Sequence, residues 1–70
     1  MDMRRALHIA VDPRRYGRRD IDEAIYILLD YAQAHPKSLT GRSRRLGAKL
    51  LIEWQEKLDG IEADQQQNKK

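Results

Sequence analysis

Four arginines around a Tyr-Gly pair, RRYGRR over residues 14–19, are the residues of this chain best equipped for chemistry. Each guanidinium is a planar fork of N–H donors that fits a phosphate or a carboxylate with two hydrogen bonds. Tyr16 adds a plane on which a base could stack, and Gly17 adds a flexible backbone. Arg14, Arg15, Arg18 and Arg19 therefore point to an anionic partner. The plainer alternative is that they are solvated, or pair with Asp20, Asp22 and Glu23 just downstream.

A second basic group follows at Arg42, Arg44, Arg45 and Lys49. The three arginines are expected in the first turn of a helix, where positive charge opposes the macrodipole by about 0.3–1 kcal/mol per residue. A local rule broken here, and obeyed at the preceding helix, suggests service to a partner. Arg42, Arg45 and Lys49 recur at i, i+3 and i+7, on one polar face. Such a row could cradle phosphates or grip an acidic protein surface.

Other chemistry finds few residues to use. Ser38 and Ser43 are the only serines and His8 and His35 the only histidines, and none lies in a nucleophile elbow. His35, just before a proline, is expected to cap the last carbonyls of the helix preceding it. Asp20, Asp22 and Glu23 lack the glycine-containing loop of a calcium site and are explained as helix N-terminal acids. No His-x-x-x-His or carboxylate-x-x-His pair suggests zinc or a di-iron centre. Cysteine is absent, which excludes thiolate metal sites and disulfides and fits a reducing compartment. The reading is a non-enzymatic protein with no catalytic residues, metal, cofactor or small-molecule substrate.

The elements that must position the arginines are helical. Charged residues make up 36% of the chain and aromatics 6%, with no Phe, so the core falls to Leu, Ile, Ala and one Trp, a composition that favours helix over sheet. Residues 3–11 are ambiguous. Met3, Leu7, Ala10 and Val11 have helical spacing, while Leu7, Ile9 and Val11 alternate as in a strand, and a short helix or arm is preferred. Asp12-Pro13 ends that segment. Asp20 with Glu23 three residues on forms a capping-box pattern, predicting a helix from Ile21 to Ala34 that stops at His35-Pro36. Its apolar residues, among them Ile21, Ile25, Leu28 and Leu29, spread over about 200°, more than one neighbouring helix can cover.

Ser38 and Thr40 are alternative N-caps for a second helix from Arg42 to Leu58, ending at Asp59-Gly60. Leu46, Leu50, Leu51, Trp54 and Leu58 form its apolar arc of about 140°, with Gly47 inside it where a neighbouring backbone could come close. Ile52 falls off the arc. Residues 1–61 are read as one helical domain and residues 62–70 as a disordered polar tail.

A chain of 70 residues rarely draws more than about 3–5 kcal/mol from a single core. The fold class expected is all-α: an antiparallel helical hairpin with a short N-terminal segment, helix or arm. Either that segment covers the rest of the first helix, making a three-helix unit, or a second copy does, making a four-helix bundle. The homodimer is preferred, with Ile21, Ile25, Leu28, Leu29, Leu46, Leu50, Trp54 and Leu58 as hairpin or dimer core.

Charge alternates in blocks: +4 over residues 1–19, −4 over 20–35, +5 over 36–50, −2 over 51–60 and zero over 61–70. A hairpin of this pattern has an acidic and a basic end, and head-to-tail pairing of two copies would join opposite charges, more strongly at low salt.

Two resemblances bear on partners. The two-helix layout with a capped turn resembles, in architecture, the dimeric hairpins of plasmid copy-number RNA-binding proteins. The run LTGRSRRLGAKLLIEW is similar to the second helix of ribbon-helix-helix repressors, where a Gly and a Ser precede a basic, then apolar, helix. That likeness implies an N-terminal strand that reads the major groove. RRALHIAV would take its place, with Arg5 and His8 on opposite faces, although eight residues, 12–19, separate it from the next helix where those repressors have a very short step.

The functional expectation is a small cytoplasmic regulator that binds nucleic acid as a dimer through Arg14, Arg15, Arg18, Arg19, Arg42, Arg44, Arg45 and Lys49, with Tyr16 stacking. The alternative is a modulator of the phage or mobile-element type that docks on a host protein through Tyr26, Tyr31 and Ile52. No run approaches the 18 apolar residues of a membrane span, so no membrane partner is expected.

Overall fold

A computed structural model describes residues 1–67, with side chains described through residue 61. All secondary structure among the described residues is helical: α1 (Met3–Val11), a single 3-10 turn (Pro13–Arg15), α2 (Arg18–Ala34) and α3 (Leu39–Gln67).

The ambiguous N-terminal segment is a helix because its start is capped. Asp2 is extended, and its Oδ1 accepts the Arg5 N–H at 2.9 Å while its carbonyl accepts the Ala6 N–H at 3.1 Å. The helix then puts Ala6 and Ile9 inside and leaves Val11 84% exposed, which a buried alternating strand would not do. The N-terminal ribbon of the repressor likeness is therefore not made.

Helix α2 begins at Arg18, three residues before the expected start. Gly17 is its N-cap and offers no side-chain bond, while its carbonyl accepts the Ile21 N–H at 3.1 Å. Asp20 lies inside the first turn rather than capping it and still complements the macrodipole, while Asp22 and Glu23 fall beyond that turn. At the other end the His35 backbone N–H bonds Tyr31 O at 3.0 Å, making His35 the C-cap through its main chain.

The turn into α3 is tight. Ser38 is the N-cap: its Oγ accepts the Gly41 N–H at 2.8 Å and donates to His35 O at 3.2 Å, and its carbonyl accepts the Arg42 N–H at 3.1 Å. Helix α3 thus starts at Leu39, and it continues through Asp59-Gly60, where a stop was expected. Of the expected tail, residues 62–67 continue α3 and residues 68–70 lie outside the described residues.

Helices α2 and α3 form the antiparallel hairpin. Gln55 Nε2 donates to Asp22 Oδ1 at 2.6 Å, and one turn further along Arg18 Nη1 meets Asp59 Oδ1 at 2.6 Å, so numbering falls on one helix as it rises on the other. Helix α1 packs mainly on α2 and touches α3, giving a three-helix unit. The buried core is Ala6, Ile9, Ile21, Ala24, Leu28, Ala32, Ala48 and Leu51. Half of these are alanines, which lets the helix axes approach closely. Ile25, Leu29 and Trp54 pack half-buried around it.

Two expected core residues are not covered by their own chain: Leu46 is 57% and Leu50 53% exposed. The reason is the rotation of α3. It turns the small residues Gly41, Gly47 and Ala48 toward its neighbours, with Leu51, Trp54 and Leu58 on the same side, and the bulkier Leu46 and Leu50 stay at the outer edge.

Candidate functional site

The arginine residues divide into two groups that the fold keeps apart. Arg14 and Arg15 sit on the 3-10 turn and both lean on Asp12, at 3.5 and 3.0 Å. Arg18, in the first turn of α2, pairs with Asp59. Arg19 beside it is exposed. Tyr16 is half-buried against the core, with the Arg5 guanidinium carbon 5.8 Å from its ring centroid, so that ring already has intramolecular neighbours on which a stacking base would have to intrude.

The second group lies toward the other end of the hairpin: measured along α3 from Asp59, the partner of Arg18, Lys49 is about 15 Å and Arg42 about 25 Å away. That separation exceeds the Debye length of about 8 Å at physiological salt, so the groups do not act as one patch. Because α3 begins at Leu39, Arg42 follows its first turn and Arg44 and Arg45 fall in the second. The macrodipole penalty that hinted at a partner is confined to the first turn and largely disappears.

Within this group the side chains part again. Arg42, Arg45 and Lys49 are exposed, share one flank of α3 as their spacing requires, and make no ion pair among the described residues. Arg44 lies about 200° around the helix from Arg42. It is half-buried, its guanidinium 5.9 Å from the Tyr31 ring and its buried Nε without a hydrogen bond.

The three exposed cations border apolar surface. Leu29, Ala32, Gln33 and Pro36 of α2 and the following turn face Gly41, Arg42 and Arg45 across a groove, and the same groove continues past Leu46, Lys49 and Ile52. No residue of α1 lines it. Of the three residues expected in protein docking, Ile52 lines this groove. Tyr31 is turned about 200° from Leu29, where it stacks on His35 with ring centroids 4.5 Å apart. Tyr26 is 73% exposed on the solvent side of α2. Leu29 is the contributor that its assignment to the core had obscured; a residue at the margin of a 200° arc is the signal that could have marked it.

Ser38 and His35 do meet at the turn, but through the His35 carbonyl rather than its imidazole, so no hydroxyl-to-base bond forms. Among the described residues no three His, Asp or Glu side chains gather at metal-binding distance, and no helix is long and apolar enough to cross a membrane. Compared with known proteins, the chain matches no family model, no curated protein and no solved structure, and its functional reading rests on its own surface.

Proposed function

We propose that this chain is a small, non-enzymatic, cytoplasmic regulatory protein that docks on an acidic, amphipathic segment of another protein through the groove between α2 and α3, and that it acts as a homodimer. The observation that carries the reading is the pairing of unneutralised cations Arg42, Arg45 and Lys49 with the apolar side chains Leu29, Leu46 and Ile52 on one continuous surface. Phosphates gain nothing from leucine and isoleucine beside them, whereas an amphipathic helix gains from both: apolar anchors on the floor and carboxylates on the rim.

The test is affinity capture with the wild-type chain beside Ile52→Asp and Arg45→Glu variants, each with and without nuclease. A protein captured by wild type and lost with both variants supports docking. Captured material that nuclease destroys, and that Ile52→Asp still retains, would replace docking with nucleic-acid binding, whose affinity falls steeply with salt.

A further inference from the structure

Helix α3 carries an apolar stripe that its own chain leaves open. Leu39 is 83%, Leu46 57% and Leu50 53% exposed. At 100° per residue the three fall within about 40° of one another, and their spacing of seven and four is that of a helix–helix seam. Exposed Glu53 and Lys57 prolong the stripe, and exposed Arg42, Lys49 and Glu56 flank it at seven-residue intervals.

We propose that a second copy covers this stripe, with α3 packed antiparallel on α3 of the other copy and the two-fold axis between Leu46 and Leu50. The inference rests on the homodimer of the proposed function and assigns its surface and register. Leu46 then meets Leu50 of the second copy and Leu50 meets its Leu46, two apolar layers at the centre. One turn outward Ser43 faces the second copy's Glu53, and Leu39 faces the aliphatic stem of its Lys57. On the flank, Arg42 lies against Glu56 of the second copy, and the reciprocal pair forms at the other end.

Charge selects this orientation. A parallel pair would put this flank on opposite sides of the seam in the two copies, against Gly47, Trp54 and Ile61, and would leave Arg42 and Glu56 unmatched. The antiparallel pair matches them and sets only the lysines on like charge, near the axis, each with Glu53 one turn along its own helix. The seam takes up Leu46, Arg42 and Lys49 of the groove, so docking on the dimer falls to Leu29, Arg45 and Ile52, which lie toward α2.

The experiment is sedimentation equilibrium of the full chain, with circular dichroism to verify folding. Leu46 and Leu50 are mostly exposed, so Leu46→Lys/Leu50→Lys should keep its helicity and sediment as a monomer while wild type is a dimer. Arg42→Glu and Glu56→Arg should each weaken self-association about tenfold, two attractive pairs becoming repulsive. Mixed with each other, the two charge-reversed chains should form a heterodimer as tight as the wild-type dimer, because antiparallel packing sets position 42 of each chain against position 56 of the other, with opposite charges at both contacts. A monomeric wild type, a dimer indifferent to the lysine substitutions, or reversed chains that fail to pair would each overturn the seam. Capture that is lost with Arg45→Glu and Ile52→Asp is a separate readout: if it is seen with a chain that does not dimerise, the homodimer and its seam fall and the docking groove stands. A wild-type dimer that the lysine substitutions leave intact overturns the seam alone. If no such capture is seen with a chain that dimerises as described, the docking groove falls and the seam stands.

Discussion

Two glycines of α3, six residues apart, should answer the same substitution with opposite sign. Gly41 is buried in the first turn of α3 against the end of α2. A Cβ added there would overlap the His35 carbonyl oxygen, and would lie 2.9 Å from the carbonyl carbon and 3.0 Å from Ser38 Oγ. That carbonyl cannot swing aside freely, since it accepts both the Ser38 N–H and the Ser38 hydroxyl. Gly41→Ala must therefore move backbone and disturb the cap. Overpacking of this kind costs about 1–3 kcal/mol and loss of an N-cap about 1 kcal/mol. Against a total of about 3–5 kcal/mol for a domain this small, most of the stability goes. Gly47 is different. Its added Cβ would rest 3.5 Å from Leu28 Cδ1 and 3.7 Å from Ala10 Cβ, ordinary van der Waals contacts. Gly47→Ala then keeps the gain in helix propensity of about 1 kcal/mol, which raises Tm by about 4–8 °C. Urea and thermal unfolding followed by circular dichroism at 222 nm measure both. A Gly41→Ala chain as stable as wild type would refute the close approach of α3 to His35, and a Gly47→Ala chain less stable than wild type would refute the spacing of the three helices.

Ser38→Ala removes the acceptor for the Gly41 N–H and should lower stability by about 1 kcal/mol, with Ser38→Thr recovering most of it; urea midpoints decide. Ile9→Ala empties a fully buried site that holds α1 on the hairpin and should cost about 2–5 kcal/mol, leaving the chain largely unfolded at 25 °C, while Val11→Ala, at an exposed position, should change stability by less than about 0.5 kcal/mol. An unaltered melting curve for Ile9→Ala would show that α1 contributes nothing to the core.

The hairpin was legible because its signals are local and concordant. Asp12-Pro13 and His35-Pro36 do bound helices, and Ser38, one of two candidate caps, caps α3. Helix starts were less legible. Asp20 with Glu23 matches a capping box, yet Gly17 opens α2, because the chain leaving the 3-10 turn is already extended at Gly17 and the next residues can enter the helix at once. Asp59-Gly60 has the composition of a stop, but a glycine favours helix termination chiefly by adopting a left-handed conformation, and none of the described glycines has positive φ.

The least legible quantity was the rotation of α3, and it decides the reading of the surface. Counting large apolar residues gives an arc through Leu46 and Leu50, with Gly47 inside it as a point of close approach. Packing follows the opposite preference: where one helix offers Ala24, Leu28 and Ala32, its neighbour comes closest through Gly41, Gly47 and Ala48. The turn of α3 that buries these small residues expels two leucines, swings Arg44 inward over Tyr31 and leaves Arg42, Arg45 and Lys49 along a groove with Leu29 and Ile52. The same preference separates the opening arginines from the rest. With α1 and the 3-10 turn folded back on α2, Arg14 and Arg15 find Asp12 and Arg18 finds Asp59, at the end remote from the groove. Asp12 and Asp59 therefore pair with three of the four arginines most conspicuous in the sequence, while the quieter i, i+3, i+7 row is bordered by apolar side chains and makes no ion pair within its own chain among the described residues.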